Sequence, residues 1–173
     1  LFQISLPPRL TIAQMPPTLK DAVLAIEDTQ FYDHFGISLK GLLRATLANL
    51  TGGMPQGAST ITQQVARTFF LSTRRTPERK IKEALLALQI ERELSKDQIL
   101  ELYMNQIFLG QRAYGFGAAA QVYFGKPLAA LTLAESAMLA GLPQNPMWAN
   151  PVANAERARR RQRLVLDRMR SIG

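Results

Sequence analysis

Helix-start signals recur along the chain, and they constrain its fold more than any other feature. Thr76-Pro77-Glu78 places proline at the first position of a helix, where its missing N–H removes no hydrogen bond. Ser95-Lys96-Asp97-Gln98 and Thr132-Leu133-Ala134-Glu135 have the pattern of capping boxes. Asn154 is placed to cap a last helix that is rich in arginine. Strand signals are weak throughout, so the sequence predicts a mainly α-helical protein.

Shorter helices are predicted before residue 76. Thr18 is expected to cap the first, a second is expected over residues 38–50, and Ser59 or Thr60 is expected to begin a third. The segment 110–125 is rich in glycine and alanine, which indicates that backbones pack closely there.

Composition narrows the chemistry. The 173 residues suit a single domain with a sizeable core. The absence of cysteine and the single histidine exclude cysteine-based and histidine-rich metal sites, so any metal is expected to be a hard cation on carboxylate oxygens. The net charge of +8 indicates an anionic partner: nucleic acid, an anionic membrane surface or a phosphate-bearing substrate. Without a bilayer-spanning run or a signal peptide, the chain is expected to be a piece of a longer protein.

The first polar stretch, residues 27–36, contains adjacent carboxylates beside aromatic residues. On a helix, Val23 and Phe31 share the face of Glu27. Desolvation among apolar groups makes a carboxylate a better base near neutrality. Glu27 is therefore a candidate general base. The alternative is a helix-end acid that pairs with a lysine, with Asp28 as a cap for the following turn.

The only histidine, His34, lies in the same stretch. Its ordinary pKa suits a general acid or base at neutral pH. The alternative is a structural donor that holds the loop.

A second polar stretch brings hydroxyls and amides together. Thr60, Gln63, Gln64 and Arg67 share one helix face by their spacing. Ser59 lies near the helix start, where free backbone amides attract anions. These donors suit sugar hydroxyls and phosphate oxygens. The alternative is simple capping by Ser59 and a solvated polar face.

A third stretch is basic and surrounds one glutamate. Arg79 and Lys80 share a helix face with Glu83. The other faces are apolar at positions such as Ile81 and Leu85, which predicts a helix that is buried on most sides. Its charges must then be paired or face a cleft. The alternative is an internal ion pair of small value. Three upstream arginines favour an anion site: Arg67, Arg74 and Arg75.

Two further helices are basic and amphipathic. The helix over residues 40–50 suits a membrane interface or, equally, packing against a core. The helix over residues 157–170 carries seven arginines, which suit nucleic acid or anionic lipid, or form a solvated face.

Together these segments resemble the peptidoglycan glycosyltransferase domain (glycosyltransferase family fifty-one) of class A penicillin-binding proteins. The likeness is specific and covers nearly the whole chain, with all five family motifs in order. The matching segments are Glu27–Gly36, Gly57–Gln64, Arg79–Glu83, Lys96–Asn105 and Arg160–Met169. The segment Gln111–Gly115 is most similar to the 1A branch.

The resemblance implies a lysozyme-like helical lobe with a smaller, membrane-associated jaw at about residues 37–54, within one domain over residues 1–173. It implies a fragment of a membrane-anchored protein at the outer, periplasmic face of the bacterial cytoplasmic membrane. A transpeptidase domain is expected on the same full-length chain.

The implied reaction polymerises lipid II. Glu27 would act as the general base on the 4-hydroxyl of the acceptor N-acetylglucosamine. That oxygen would attack the anomeric carbon of the donor's N-acetylmuramic acid, with inversion and release of undecaprenyl diphosphate. The expected partners are lipid II, the growing glycan strand and the membrane surface, and not nucleic acid.

The resemblance also assigns roles. Glu83 matches a second essential glutamate, which would orient Arg79 and Lys80 or help to hold Mg²⁺ or Mn²⁺; no organic cofactor is expected. The substrate-binding set is Ser59, Gln63, Gln64, Arg67, Arg75, Arg79 and Lys80, with Asp28, Phe31 and His34 in support. The donor site is also where moenomycin binds in this family. Arg67 stands where the family usually has lysine, and arginine keeps the charge with added bidentate reach.

Three alternatives predict different behaviour. A lytic enzyme would cleave finished, lipid-free glycan, which the basic cluster does not require. A nucleic-acid-binding module would bind DNA with a steep salt dependence, but it leaves the polar motifs unexplained. An inactive scaffold would not need Glu27 and Glu83.

Overall fold

The structure, a computed structural model, describes residues 9–52, 58–69 and 76–173. It is built from helices, whose bounds are α1 Pro17–Glu27, α2 Leu39–Leu50, α3 Ile61–Thr68, α4 Pro77–Glu93, α5 Lys96–Gln106, α6 Phe116–Phe124, α7 Leu133–Ala140 and α8 Ala155–Ile172. In these ranges the β-structure is a single antiparallel bridge between Phe108 and Tyr114. None of the described helices has the length and apolar character needed to cross a bilayer.

Most predicted helix starts are confirmed by their caps. The Thr76 hydroxyl accepts a hydrogen bond from the amide of Arg79, and Asn154 caps α8 in the same way. Thr132 forms a reciprocal capping box with Glu135 at the start of α7. These contacts are local, which is why a short sequence pattern predicts them.

The predicted cap at Thr18 is wrong, because α1 begins one residue earlier, at Pro17. The carbonyl of Pro16 accepts the hydrogen bond from the amide of Lys20 that closes the first turn. Proline suits the first helical position because its φ angle is already helical and its missing N–H would have no partner there.

The chain divides into two compact units. The first comprises residues 1–26 and 104–173, and within its described part α7 packs against α8. Its core includes Leu19, Phe116 and Leu139, each fully buried. The predicted close packing is confirmed at Gly115, whose φ angle is +80° and where a Cβ atom would lie 2.3 Å from the carbonyl oxygen of Asn105.

The second unit comprises residues 27–103. Within its described part α3 packs against α4, over a core that includes Phe31, Ile61, Ile99 and Leu100. The candidate base, the hydroxyl and amide stretch and the basic helix all belong to this unit.

The prediction that α4 is buried on most sides is wrong. Ile81 and Leu85 are each 62% exposed. They lie about 200° around the helix from Glu83, since each residue advances by about 100°. The buried side, which carries Glu83, Ala87 and Ile90, is the side that packs against the rest of the unit.

Candidate active site

Glu27 is the last residue of α1, and its carboxylate meets a side chain from α3. The amide nitrogen Nε2 of Gln64 donates a hydrogen bond of 2.8 Å to Oε2 of Glu27. A hydrogen bond to the charged form of a carboxyl group favours that form. The contact therefore holds Glu27 as a proton acceptor.

Gln64 lies between Glu27 and a buried tyrosine on α5. The hydroxyl oxygen of Tyr103 is 3.5 Å from Oε1 of Gln64, and Tyr103 is 2% exposed. Burial, and then the negative charge of Glu27, raise the pKa of Tyr103 well above its ordinary value. The phenol therefore keeps its proton and faces Gln64 as a donor.

Asp28 holds the start of α3. Its Oδ2 accepts a hydrogen bond of 3.0 Å from the backbone amide of Ile61, the first residue of that helix. Nε2 of His34 lies 2.8 Å from the same oxygen. Asp28 is thus a cap, although it caps a helix distant in sequence rather than the following turn. His34 supports Asp28, which agrees with the structural alternative.

Phe31 connects this region to α4 and α5. Its ring is 1% exposed and lies 4.6 Å from Nζ of Lys96, a cation–π contact. Lys96 also donates a hydrogen bond of 2.7 Å to Glu91, which accepts another of 2.5 Å from the hydroxyl of Thr62. The contact between Thr62 and Glu91 was not predicted from the sequence. The signal that could have indicated it is a glutamate on the apolar side of α4, one turn after Ala87.

Glu83 is fully buried among three cations. Its carboxylate oxygens lie 3.2 Å from Nε of Arg67, 3.1 Å from Nε of Arg79 and 3.2 Å from Nζ of Lys80. Three positive charges against one negative charge leave a local excess of two. Because the side chains of Arg67 and Lys80 are 44% and 49% exposed, that excess is available to an anion. We refer to Glu83 and these three residues as the cationic cluster.

A cleft of about 290 Å³, open to solvent, lies beside these groups. Glu27 and Asp28 line it, together with Ser38 at the start of α2 and residues 58–60 before α3. Ser59 connects the cleft to the cationic cluster, because its hydroxyl accepts a hydrogen bond of 2.7 Å from Nζ of Lys80. The cleft is thus lined by the candidate base and by Ser59, which contacts Lys80 of the cluster.

The short helix α3 contacts both carboxylates. Gln64 reaches Glu27 and Arg67 reaches Glu83, and the two side chains are three positions apart on one helix face. Gln63 does not join them: it is 6% exposed, and its side chain accepts from the amide of Thr60 in a capping box.

Two predicted arginines, Arg74 and Arg75, lie outside the described residues, as does Gly57. The other predicted site residues are all in the second unit, and most of them contact Glu27, Asp28 or Glu83; Gln63 lies in the capping box instead. Their functional roles stay predictions.

The donor set at Glu83 does not fit a divalent cation. Both carboxylate oxygens are already paired with guanidinium or ammonium groups, and an added metal ion would meet three like charges. Within the described ranges no group of three acidic or histidine side chains could hold a metal ion. The Mg²⁺ or Mn²⁺ ion therefore stays a prediction, and Glu83 does not provide a fitting site for it.

The helical fold and the two sites around Glu27 and Glu83 agree with the family to which the sequence matches. The sequence matches the transglycosylase family over residues 7–170, and the chain belongs to that family. It is 58% identical over 159 residues to penicillin-binding protein 1A of Neisseria flavescens, covering 91% of this chain and 20% of that protein. It is 57% identical over 167 residues to a candidate transglycosylase of Cupriavidus necator, covering 96% of this chain and 72% of that protein.

A solved structure shows the same likeness. The crystal structure of penicillin-binding protein 1A from Haemophilus influenzae matches with a TM-score of 0.53 and 30% sequence identity, covering 94% of this chain and 15% of that chain. The chain thus spans about a fifth of the length of its penicillin-binding protein relatives. The predicted family, its 1A-like branch, its enzyme class and the mainly α fold are confirmed.

Proposed function

We propose that this chain polymerises lipid II into glycan strands. The observation that carries the proposal is a candidate base, Glu27, and a cationic cluster around Glu83 that are both contacted by side chains of α3. Glycosyl transfer from a lipid diphosphate needs a proton acceptor for the incoming hydroxyl and positive charge for the leaving group. Glu27 meets the first need, and the cationic cluster meets the second.

Glu27 is the general base of the proposed reaction. Its carboxylate takes the proton from the 4-hydroxyl of the acceptor N-acetylglucosamine as that oxygen bonds to the anomeric carbon of the donor's N-acetylmuramic acid. Attack from the face opposite the diphosphate inverts the configuration at that carbon. The hydrogen bond from Gln64 supports this role, since it favours the ionised carboxylate before reaction.

The cationic cluster stabilises the departing undecaprenyl diphosphate. A diphosphate is already a good leaving group, so fixed positive charges suffice where a glycosidase would need a protonated acid. Glu83 holds Arg67, Arg79 and Lys80 in place before the substrate arrives. Ser59 adds a hydroxyl that contacts Lys80 at the edge of the cleft. No step of this scheme runs through a metal ion.

The membrane is the proposed surface on which the reaction takes place. Five leucines of α2, within the predicted jaw, are each more than half exposed: Leu39, Leu42, Leu43, Leu47 and Leu50. An exposed apolar face, on a helix that also carries the exposed Lys40, suits the interface of a bilayer. We place this surface at the outer face of the bacterial cytoplasmic membrane, with a transpeptidase domain on the full-length chain.

Polymerisation of labelled lipid II in detergent tests the proposal. The parent protein and Glu93→Gln, a change at an exposed position of α4, are expected to make polymer, and Glu27→Gln is expected to make none. Polymer from Glu27→Gln would remove Glu27 from the role of base. Release of sugars from lipid-free peptidoglycan, without polymer from lipid II, would instead support a lytic enzyme.

A further inference from the structure

A buried phenol, a primary amide and a carboxylate lie in a row in the second unit. The hydroxyl of Tyr103 faces Oε1 of Gln64 at 3.5 Å, and Nε2 of Gln64 donates to Oε2 of Glu27 at 2.8 Å. The three side chains come from α5, α3 and α1. The mechanism proposed above uses Glu27 and its hydrogen bond from Gln64, but it gives the phenol no task.

We propose that Tyr103 is a positioning residue: its hydroxyl holds the oxygen of the Gln64 amide, and the amide nitrogen then holds the Glu27 carboxylate in place as a proton acceptor. This inference rests on the proposed role of Glu27 as the general base. It also gives Gln64 a task other than the substrate contact expected from the sequence.

The amide of a glutamine has two similar ends, and its surroundings decide which end points where. If the Gln64 amide were turned over, its oxygen would face the carboxylate of Glu27 and its nitrogen would face the hydroxyl of Tyr103. The first contact would be repulsive. The Glu27 carboxylate, which only accepts, therefore selects the orientation, and the phenol, which can donate, supplies a partner for the amide oxygen.

The phenol steadies the amide oxygen in this orientation, although its contact is long. At 3.5 Å it lies beyond the usual range for an O–H···O hydrogen bond, so we expect a smaller effect from Tyr103 than from Gln64. Tyr103 is 2% exposed, so its hydroxyl is shielded from bulk water. Its raised pKa keeps the donor proton in place across the working pH range.

Other charged groups surround the row and are part of the expected pH response. Asp28 and Arg67 both act electrostatically on Tyr103, the first raising its pKa and the second lowering it. Neither is changed in the variants below, so their contributions cancel in the comparison.

A double-mutant cycle with Tyr103→Phe and Gln64→Ala tests the proposal on lipid II polymerisation from acid to neutral pH. Gln64→Ala is expected to lower kcat by roughly tenfold or more, the usual cost of losing a hydrogen bond to a charged group. The acidic limb of the pH profile should move to higher pH, because the ionised form of Glu27 loses its donor. Tyr103→Phe should produce the same changes on a smaller scale.

The double variant separates positioning from an independent role. If Tyr103 acts through Gln64, Tyr103→Phe has no further effect once Gln64 is alanine. If Tyr103→Phe lowered kcat by the same factor in the parent protein and in Gln64→Ala, the proposal would be overturned. A rise in KM with an unchanged acidic limb would also overturn it, because it would mean that Gln64 only binds substrate.

Tyr123→Phe is the matched control. It also removes a phenol hydroxyl, one that donates to the carbonyl of Leu109 in the first unit. Its pH profile is expected to match that of the parent protein. Thermal denaturation of each variant shows whether the fold is retained.

A carbon NMR titration of the Glu27 carboxyl group, assigned by loss of the signal in Glu27→Gln, measures the positioning without any activity. A higher Glu27 pKa in both Gln64→Ala and Tyr103→Phe would support the proposal even if Glu27→Gln kept its activity, in which case only the assignment of the base would fail. An unchanged Glu27 pKa in both variants would overturn the positioning role and leave the proposed function intact.

Discussion

The carboxylate of Asp28 accepts a hydrogen bond of 3.0 Å from the backbone amide of Ile61, 33 residues further along the chain. This contact caps α3 from outside its own segment. Since α3 carries Gln64 and Arg67, the capping carboxylate fixes the helix that contacts both Glu27 and Glu83.

Asp28→Ala is therefore expected to affect stability and activity together. Loss of a capping side chain should lower the free energy of unfolding by about 1–2 kcal/mol. Polymerisation should fall as well, because α3 is less well held. Urea denaturation and the lipid II assay measure the two effects. Asp33→Ala, at an exposed position of the same stretch, should change neither; equal behaviour of the two variants would contradict the capping role.

Glu83→Gln is expected to destabilise the protein through unbalanced positive charge. The buried carboxylate pairs with Arg67, Arg79 and Lys80, and breaking a buried ion pair costs about 3–5 kcal/mol. The loss should lie at or below the lower end of that range, since two of the cations are nearly half exposed and screened by water.

The control for this prediction lies on the same helix. Glu78 pairs with Lys82 at 2.6 Å on the exposed side of α4. Glu78→Gln should therefore have almost no effect on urea denaturation, as is usual for exposed pairs. A similar loss of unfolding free energy in both variants would mean that the burial of Glu83 does not affect stability.

A pair of glycines separates backbone strain from packing. Gly36 and Gly52 have φ angles of +77° and +71°, which side-chain-bearing residues rarely adopt. A Cβ atom at Gly36 would lie 3.1 Å from the carbonyl oxygen of Ala87 and from Cγ of Glu91. A Cβ atom at Gly52 would meet no atom of the described residues within 4 Å. Gly52→Ala should cost about 1 kcal/mol from conformation alone, and Gly36→Ala clearly more. Equal melting temperatures would contradict this difference.

Tyr32 makes stability sensitive to alkaline pH. Partial burial, and then the hydrogen bond and charge of Asp97, raise the pKa of Tyr32 to about 12. The folded state then keeps a proton that the unfolded state loses near the ordinary value of about 10, so stability declines as pH rises through this window. Tyr32→Phe should lose less stability than the parent protein between these two pH values in thermal denaturation. If the stability of Tyr32→Phe declined as steeply as that of the parent protein, the effect would come from other groups, among them Tyr103.

The exposed leucines of α2 are expected to bind membranes. The double variant Leu42→Ser with Leu47→Ser should sediment less with phosphatidylglycerol vesicles, because the apolar face of the helix is lost. Leu133→Ser removes a leucine of similar exposure from α7 and should leave sedimentation unchanged. Equal loss in both proteins would show that α2 has no special part in membrane binding.

Local patterns predicted the helices well because caps are formed by residues close in sequence. Thr132 and Glu135 satisfy each other's backbone groups, so their pairing does not depend on the rest of the chain. The error at α4 has a different origin. Periodicity identifies the apolar positions Ile81 and Leu85, but it does not reveal whether a neighbouring element covers them.

The sequence predicted which residue types form the candidate site, but it predicted only some of the contacts among them. Gln63 and Gln64 looked equivalent as neighbouring amides near a helix start. Gln63 joins the local capping box with Thr60, whereas tertiary packing brings Gln64 to Glu27. Tyr103, 39 positions after Gln64, gave no sequence signal of its contact with that amide.

The sequence by itself determined the family, the helical class and the charged residues available for catalysis, because motifs, caps and composition are properties of the chain alone. Only the tertiary structure decided that Arg67 joins Arg79 and Lys80 at Glu83, and that Tyr103, Gln64 and Glu27 lie in a row. Such contacts depend on which distant side chains are brought together and shielded from water, and burial is a property of the packed molecule as a whole.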